Sequence, residues 1–329
     1  MALLLGPHEV AACLDHRQVV ESLLEGFRAE ADGRVQMPTR VTIPAPSGWL
    51  RVMPGVIDAG GPAAYMGCKI MNLIQGHGLR YMIVLFDSAT GELLGLLDAA
   101  RITQVRTAAT AALAARHIIN GKVPTAGILG SGFEARGLLE AMAHLLSFTE
   151  AVVYSRRREN REAFAKEMSG RLGVRVQTVD EPSEVFAQAQ VVGLATKSAT
   201  PVVDGGWVHD GATLLSIGST RPDLRELDEA ILGRARRVVT DSVSQVKTES
   251  GDIRAALEAG TLREEQIVSI GDVICGKVSA RDSAGDIVVV KTVGTALQDL
   301  VVAGRVYESA RAKGLGKELG DWPQLKPFA

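Results

Sequence analysis

The hexapeptide Gly130-Ser131-Gly132-Phe133-Glu134-Ala135 follows the apolar run Ala126-Gly127-Ile128-Leu129 and opens a segment with helical periodicity. In a G-x-G-x-x-A loop the first glycine permits a tight turn and the second lets backbone approach phosphate oxygens. The third position must be small for the helix to pack on the strand. Free N–H groups and the helix dipole then complete an anion site. Such a loop alone recurs by accident. Here the strand before it, the helix after it and a second strand at Ala151–Ser155 all agree with a dinucleotide site.

The end of that second strand bears on which dinucleotide. An acid there would accept hydrogen bonds from the ribose hydroxyls of NAD and repel a 2′-phosphate. This chain has Val153-Tyr154-Ser155-Arg156-Arg157-Arg158, with no acid until Glu159. Ser155 can donate a hydrogen bond, and Arg156 or Arg157 can fork onto phosphate. The alternative is a solvated helix start, but the dipole does not favour cations there. NADP(H) is therefore expected over NAD(H).

Three cations stand in apolar or small-residue surroundings. Arg40 follows Met37-Pro38-Thr39, Lys69 lies in Tyr65-Met66-Gly67-Cys68-Lys69-Ile70-Met71, and Arg106 in Ile102-Thr103-Gln104-Val105-Arg106-Thr107-Ala108-Ala109. A buried cation must be paired or meet an anionic ligand. Each alone reads as a structural ion pair; together they point to a site for a substrate carboxylate. No metal site is expected, since Cys13, Cys68 and Cys275 lie far apart with no CxxC or Cys/His spacing. Reduced thiols fit a reducing compartment. A formal net charge of −2 gives no basic field for nucleic acid. No signal-peptide pattern and no apolar run of about 18–20 residues occur, so no membrane partner and a cytoplasmic location are expected.

The elements that must position these residues fall into two groups. Residues 7 to 33 have helical periodicity. Between about 38 and 98, short β-like runs (Val41–Ile43, Trp49–Met53, Ala64–Leu73, Tyr81–Phe86, Leu93–Leu97) alternate with Pro and Gly breaks, and an Ala-rich helix to Ile119 is ended by Asn120-Gly121. Strand and helix then alternate through Thr125–Leu129, Ala151–Ser155, Val174–Val179, Val191–Leu194, Thr213–Ile217 and Arg237–Thr240. That alternation implies an α/β fold with a doubly wound parallel sheet. At 329 residues the chain can hold two cores. One domain is expected at 1–120 together with about 295–329, and a dinucleotide domain at 121–294. The tail Trp322–Ala329 is expected to be loosely held.

The strings MPTR, RVMPGV, GCKIMN, QVRTAATAALAA, GILGSGFEA, IGSTRPDLREL and VVVKTVGTALQD, in that order, resemble the ornithine cyclodeaminase/mu-crystallin family over about 35 to 310. The resemblance implies a Rossmann domain joined to an α+β substrate-binding and dimerisation domain, a homodimer, and an active site in the cleft between domains. It implies that Arg40, Lys69 and Arg106 hold a substrate carboxylate beside the nicotinamide, and that Lys69 helps protonate or polarise the reacting nitrogen. Thr196, Val293 and Gly294 would face the nicotinamide. The family spans cyclodeaminases, alanine dehydrogenases and ketimine reductases, which share hydride exchange at the α-carbon of an amino or imino acid.

In proteins similar to the cyclodeaminases, an acid follows a glycine pair at the fifth Rossmann strand and handles the distal amine. This chain reads Gly218-Ser219-Thr220-Arg221-Pro222-Asp223, so Thr220 stands there as a substrate-side residue, and Asp223 reads as structural. Cyclodeaminases recycle a bound NAD, whereas reductases draw on NADPH. The expected activity is therefore NADPH-dependent reduction of a cyclic or linear α-imino acid such as Δ1-pyrroline-2-carboxylate. An ornithine cyclodeaminase or alanine dehydrogenase is the alternative, and a non-catalytic NADPH-dependent ligand-binding protein comes last. Gln75 and His77 follow the lysine strand as pocket candidates, His77 first of all as a loop histidine. Glu249, Gly251 and Asp252 are expected to shape a loop and cap the next helix.

Overall fold

A computed structural model describes residues 2–58, 64–119, 121–320 and 323. The chain forms two compact units, Met1–Arg106 with Thr295–Ala329, and Thr107–Gly294. The division falls inside one continuous helix, α3 (Ala100–Ile118), and not at its end near 120. Asn120 and all of the tail Trp322–Ala329 but Pro323 lie outside the described residues.

The first unit is built on strands β1 (Leu3–Leu5), β2 (Val35–Gln36), β3 (Val41–Ala45), β4 (Gly48–Asp58), β5 (Ala64–Ile74), β6 (Gly78–Asp87), β7 (Leu93–Asp98) and β16 (Lys317–Glu318). Their order is β16-β1-β7-β6-β5-β4-β2, with β3 on β4. From β4 to β7 this is an antiparallel meander in which Met53, Lys69 and Ile83 stand abreast. Successive side chains alternate between faces. Lys69 thus shares a face with Met71, Met53 and Tyr81, whereas Leu50, Val56 and Met82 point the other way. Helices α2 (His16–Ala31) and α11 (Ala296–Lys313) belong to this unit and pack on each other and on the sheet.

The helical stretch expected from 7 to 33 is in fact two helices, α1 (Pro7–Cys13) and α2. Asp15 breaks it, because its side chain accepts a hydrogen bond from the Gln18 N–H and so starts a new helix. The outer strands β1 and β16 were not anticipated, being too short to show alternation.

The second unit contains the doubly wound sheet that the strand–helix alternation implies. Its strands are β8 (Thr125–Leu129), β9 (Glu150–Tyr154), β10 (Arg175–Thr178), β11 (Val191–Leu194), β12 (Thr213–Ser216), β13 (Ala235–Thr240), β14 (Ile267–Ser269) and β15 (Ile287–Lys291). They run parallel in the order β10-β9-β8-β11-β12-β15-β13-β14. Helices α4 (Phe133–Leu146), α5 (Arg158–Leu172), α6 (Pro182–Gln188), α7 (Glu229–Arg234), α8 (Val243–Glu249), α9 (Gly251–Glu258) and α10 (Ile270–Ile274) intervene. Strands β11, β12 and β15 are buried throughout, as parallel strands covered on both faces must be. Strand order reverses between β8 and β11, and ligands of such sheets bind beyond the carboxyl ends of the strands at that point.

Candidate active site

In the first unit the sheet carries Lys69 to the N-terminal turn of α11. Lys69 is fully buried; its Nζ lies 3.2 Å from Asp299 Oδ1 and 4.9 Å from the centre of the Tyr81 ring. Arg106, on α3, donates from Nε to the same oxygen at 2.8 Å and from Nη1 to Gln298 Oε1 at 2.8 Å. Asp299 Oδ2 is buried and accepts no hydrogen bond among the described residues. Two cations thus share one oxygen of one carboxylate, and positive charge is in excess.

Burial pushes the Lys69 ammonium down to about 7; Asp299 opposes this, while Arg106 and Arg40 add to it. Arg40 is half-buried and near enough to Lys69 to be felt electrostatically. Lys69 and Arg106 therefore share one carboxylate, and Arg40 adds to the positive field that Lys69 feels. An excess of buried positive charge suits a carboxylate ligand. Beside it lies an apolar patch of Met53, Met71 and Ala296, against which Met37, Trp49 and Tyr81 pack. Asp299 and Gln298 were missed in the sequence. Their signal was polar residues inside the apolar helical run from Ala296 to Val302.

Gln75 and His77 do not join this cluster. They sit exposed at the β5–β6 turn, six residues or more along an extended strand from Lys69. At about 3.3 Å per residue that is roughly 20 Å.

In the second unit, Gly130 adopts φ 115°, and a Cβ there would lie 2.5 Å from the Ala195 carbonyl oxygen. Only glycine makes this turn. Gly132 caps α4 with no side-chain hydrogen bond, and a Cβ on it would meet nothing within 4 Å, which is the open approach a pyrophosphate needs. Ala135 is fully buried under the turn, while Phe133 is exposed, with Glu134 beside it in the first turn of α4. Ser131 Oγ donates to Ser155 Oγ at 2.8 Å, tying the loop to the end of β9. These residues fit a dinucleotide.

Of the cations after β9, Arg158 pairs with Glu162, and Arg161 pairs with Asp180 and donates to the Ser155 carbonyl. Arg156 and Arg157 are exposed, and among the described residues their side chains have no hydrogen-bond or ion-pair partner.

Beyond β11, β12 and β15 the strand ends are joined by a buried polar network. Lys291 donates to Ser216 and Ser219 at 2.8 and 2.7 Å and meets Asp252 at 3.0 Å. Asp252 also accepts from Ser219 and from the Glu226 and Leu227 N–H groups. Burial alone would raise the Asp252 carboxyl, but Lys291, Ser219 and Leu227 hold it below its ordinary value. Asp252 therefore does not cap a helix as expected. Ser250 caps α9, because its Oγ reaches the Ile253 N–H, and Asp252 turns inward towards Lys291. Gly251 is forced, since a Cβ on it would lie 2.3 Å from the Leu224 carbonyl oxygen. Asp223 is exposed and chelated by Arg221 at 2.8 and 3.0 Å. Thr220 is half-buried beside Ser219.

Thr196 donates from N and Oγ1 to Glu226, and the Val293 and Gly294 N–H groups donate to Asp241 at 3.0 and 2.8 Å. Glu226, Asp241 and Lys291 were not picked out in the sequence. A lysine closing the run Ile287-Val288-Val289-Val290 was the available signal.

The model of the ornithine cyclodeaminase/mu-crystallin family matches residues 2–314. An alanine dehydrogenase of Archaeoglobus fulgidus is 31% identical over 324 residues, 96% of this chain and 98% of that protein. The ketimine reductase mu-crystallin of Rattus norvegicus is 32% identical, over 88% of this chain and 90% of its own. Among solved structures, the Δ1-pyrroline-2-carboxylate reductase of Thermococcus litoralis, in complex with NADH and L-proline, superposes with a TM-score of 0.90 at 29% identity. That match covers 96% of this chain and all of the other. With a glycine loop built for pyrophosphate in one unit and a buried lysine–arginine cluster in the other, this chain belongs to the ornithine cyclodeaminase/mu-crystallin family.

Proposed function

We propose that this protein is an NADPH-dependent reductase of α-imino acids, with Δ1-pyrroline-2-carboxylate as the test substrate. The observation that carries this reading is Lys69: a fully buried lysine, lowered to about 7 and sharing one carboxylate with Arg106. Such a lysine holds or gives up a proton near neutral pH, as a general acid for an imine nitrogen requires. The relatives named for pyrroline-2-carboxylate and ketimine reduction support it.

When bound, the reduced nicotinamide supplies a hydride to the imine carbon. Arg106 and Arg40 hold the substrate carboxylate, and Lys69 Nζ gives a proton to the imine nitrogen, so that C=N becomes CH–NH. Arg156 and Arg157, without side-chain partners among the described residues, would take the 2′-phosphate, with Ser155 beside them. Ser131, Gly132, Phe133, Glu134 and Ala135 would present the start of α4 to the pyrophosphate. Thr196, Val293 and Gly294 would border the nicotinamide, and Thr220 the substrate. Met53, Met71, Trp49 and Tyr81 offer an apolar surround to the Lys69 cluster, which suits a hydrocarbon ring.

We assign a homodimer through the sheet face opposite Lys69. There Val41, Ile43, Leu50, Val56 and Met82 are 39–53% exposed, an apolar patch of the kind that marks an interface. A solved archaeal relative is an alanine dehydrogenase dimer with bound NAD. The free thiols Cys13, Cys68 and Cys275 accord with a cytoplasmic site, and no described helix is long and apolar enough to cross a membrane.

The test gives purified protein NADPH with Δ1-pyrroline-2-carboxylate and follows loss of NADPH together with proline formed. Proline made from L-ornithine without net cofactor turnover would overturn the reading in favour of cyclodeamination. Turnover of pyruvate and ammonia alone would favour the alanine dehydrogenase alternative, which the Archaeoglobus relative supports. Tight NADPH binding with no turnover would leave only a binding protein.

A further inference from the structure

Glu226 is a fully buried carboxylate that no cation touches among the described residues. Its Oε1 accepts from Thr196 N at 2.6 Å and Thr196 Oγ1 at 2.9 Å; its Oε2 accepts from Ser216 Oγ at 2.7 Å and Gly218 N at 3.0 Å. Leu194 pairs with Ser216 in the β11–β12 register, so Thr196 and Gly218 leave neighbouring strand ends at the same level. One carboxylate therefore clasps both ends.

The clasp is tight. A Cβ on Gly218 would lie 2.1 Å from Thr196 O and 2.3 Å from Glu226 Oε1, so no other residue fits there. Glu226 is itself anchored, because its own N–H donates to Oδ1 of Asp252, whose Oδ2 pairs with Lys291.

Strand order locates the clasp. It reverses between β8 and β11, so the adenosine half of a dinucleotide lies over β8 and β9 and the nicotinamide half over β11 and β12. A structural tie needs no charge, and burying an uncompensated carboxylate is costly. What a carboxylate does that an amide cannot is accept all four bonds, two at each oxygen.

We propose that Glu226 is a positioning residue for the nicotinamide half of the cofactor, acting by holding Thr196 and Gly218 at one spacing. This rests on the dinucleotide site but not on the imine substrate. The carboxamide of Glu226→Gln can accept at one oxygen only, so the strand ends must part.

The test is fluorescence titration of wild type and variant with NADPH and with adenosine 2′,5′-bisphosphate, which carries the adenine half alone, alongside the Tm of each protein. Glu226→Gln is expected to weaken NADPH about tenfold while the bisphosphate stays within twofold. Gly218→Ala and the milder Thr196→Val, which removes only the Oγ1–H donor, are expected to follow the same pattern, the latter by about threefold. Equal losses for both ligands, or unchanged NADPH affinity, in the variants that fold would overturn the proposal. Wild-type protein that binds neither of these two ligands nor NADH would instead overturn the dinucleotide reading itself.

Discussion

Lys69 and Lys291 are both fully buried, each in a different unit and each beside one carboxylate, yet they are built for different work. Lys291 has three near neighbours for its three N–H donors, at 2.7–3.0 Å: Ser216, Ser219 and Asp252. Lys69 has an aromatic ring and one oxygen, 3.2 Å away, already taken at 2.8 Å by Arg106. A buried ammonium with a full complement is a structural joint. One with a shared, longer contact has a proton to spare and room in its coordination for a ligand.

The largest expected effects separate the two lysines. Lys69→Met should lower kcat/KM for imine reduction by about 10²–10⁴-fold, the worth of a positioned proton donor, with little change in Tm, because Asp299 keeps Arg106. Lys291→Met should do the reverse. It strands Asp252 without a cation, at a cost of about 3–5 kcal/mol. Thermal unfolding of both variants beside their kinetics checks the pair. A Lys69→Met protein that unfolds early but turns over normally would erase the distinction.

Much of this was legible in the sequence where the signal is local. The Gly130 loop, the alternation of strands and helices and the Arg156-Arg157 pair after the second strand each lie within a few consecutive residues. The three cations could be listed, because charge in an apolar run is visible without a structure. Their counter-ion could not: Asp299 lies 230 positions from Lys69, and only the return of α11 to the first unit joins them. Asp252 failed for the same reason. Its neighbourhood, Ser250-Gly251-Asp252, has the form of a helix cap, and Ser250 is one. The lysine that claims Asp252 comes from another strand, so a local rule chose the wrong role for it.

The second effect concerns pH and sharpens the lysine comparison. Lys69 is lowered, so the folded protein holds its proton only below about 7. Reduction uses the protonated form, and its kcat/KM should fall as pH rises through about 7. Amino-acid oxidation uses the neutral form and should fall as pH drops through the same value. Asp299→Asn removes the charge that holds the proton on, and the reductive break should move to lower pH by about a unit or more. An unmoved break would mean that another group supplies the proton.

The same distinction between committed and uncommitted cations applies on the surface, with a smaller expected effect. Arg158 and Arg161 are spoken for by Glu162 and Asp180, while Arg156 and Arg157 are not. Each charge-assisted hydrogen bond to a 2′-phosphate is worth about 1.5–3 kcal/mol. Arg156→Asp with Arg157→Ala should therefore weaken NADPH by about ten- to a hundredfold and leave NADH nearly unchanged. Arg158→Ala should alter neither affinity, since that guanidinium spends its bonds on Glu162. Titrating both dinucleotides against the two variants decides it. Equal losses of NADPH and NADH in the double variant would show that these arginines do not read the phosphate, and an uncommitted cation would then be no guide to a ligand.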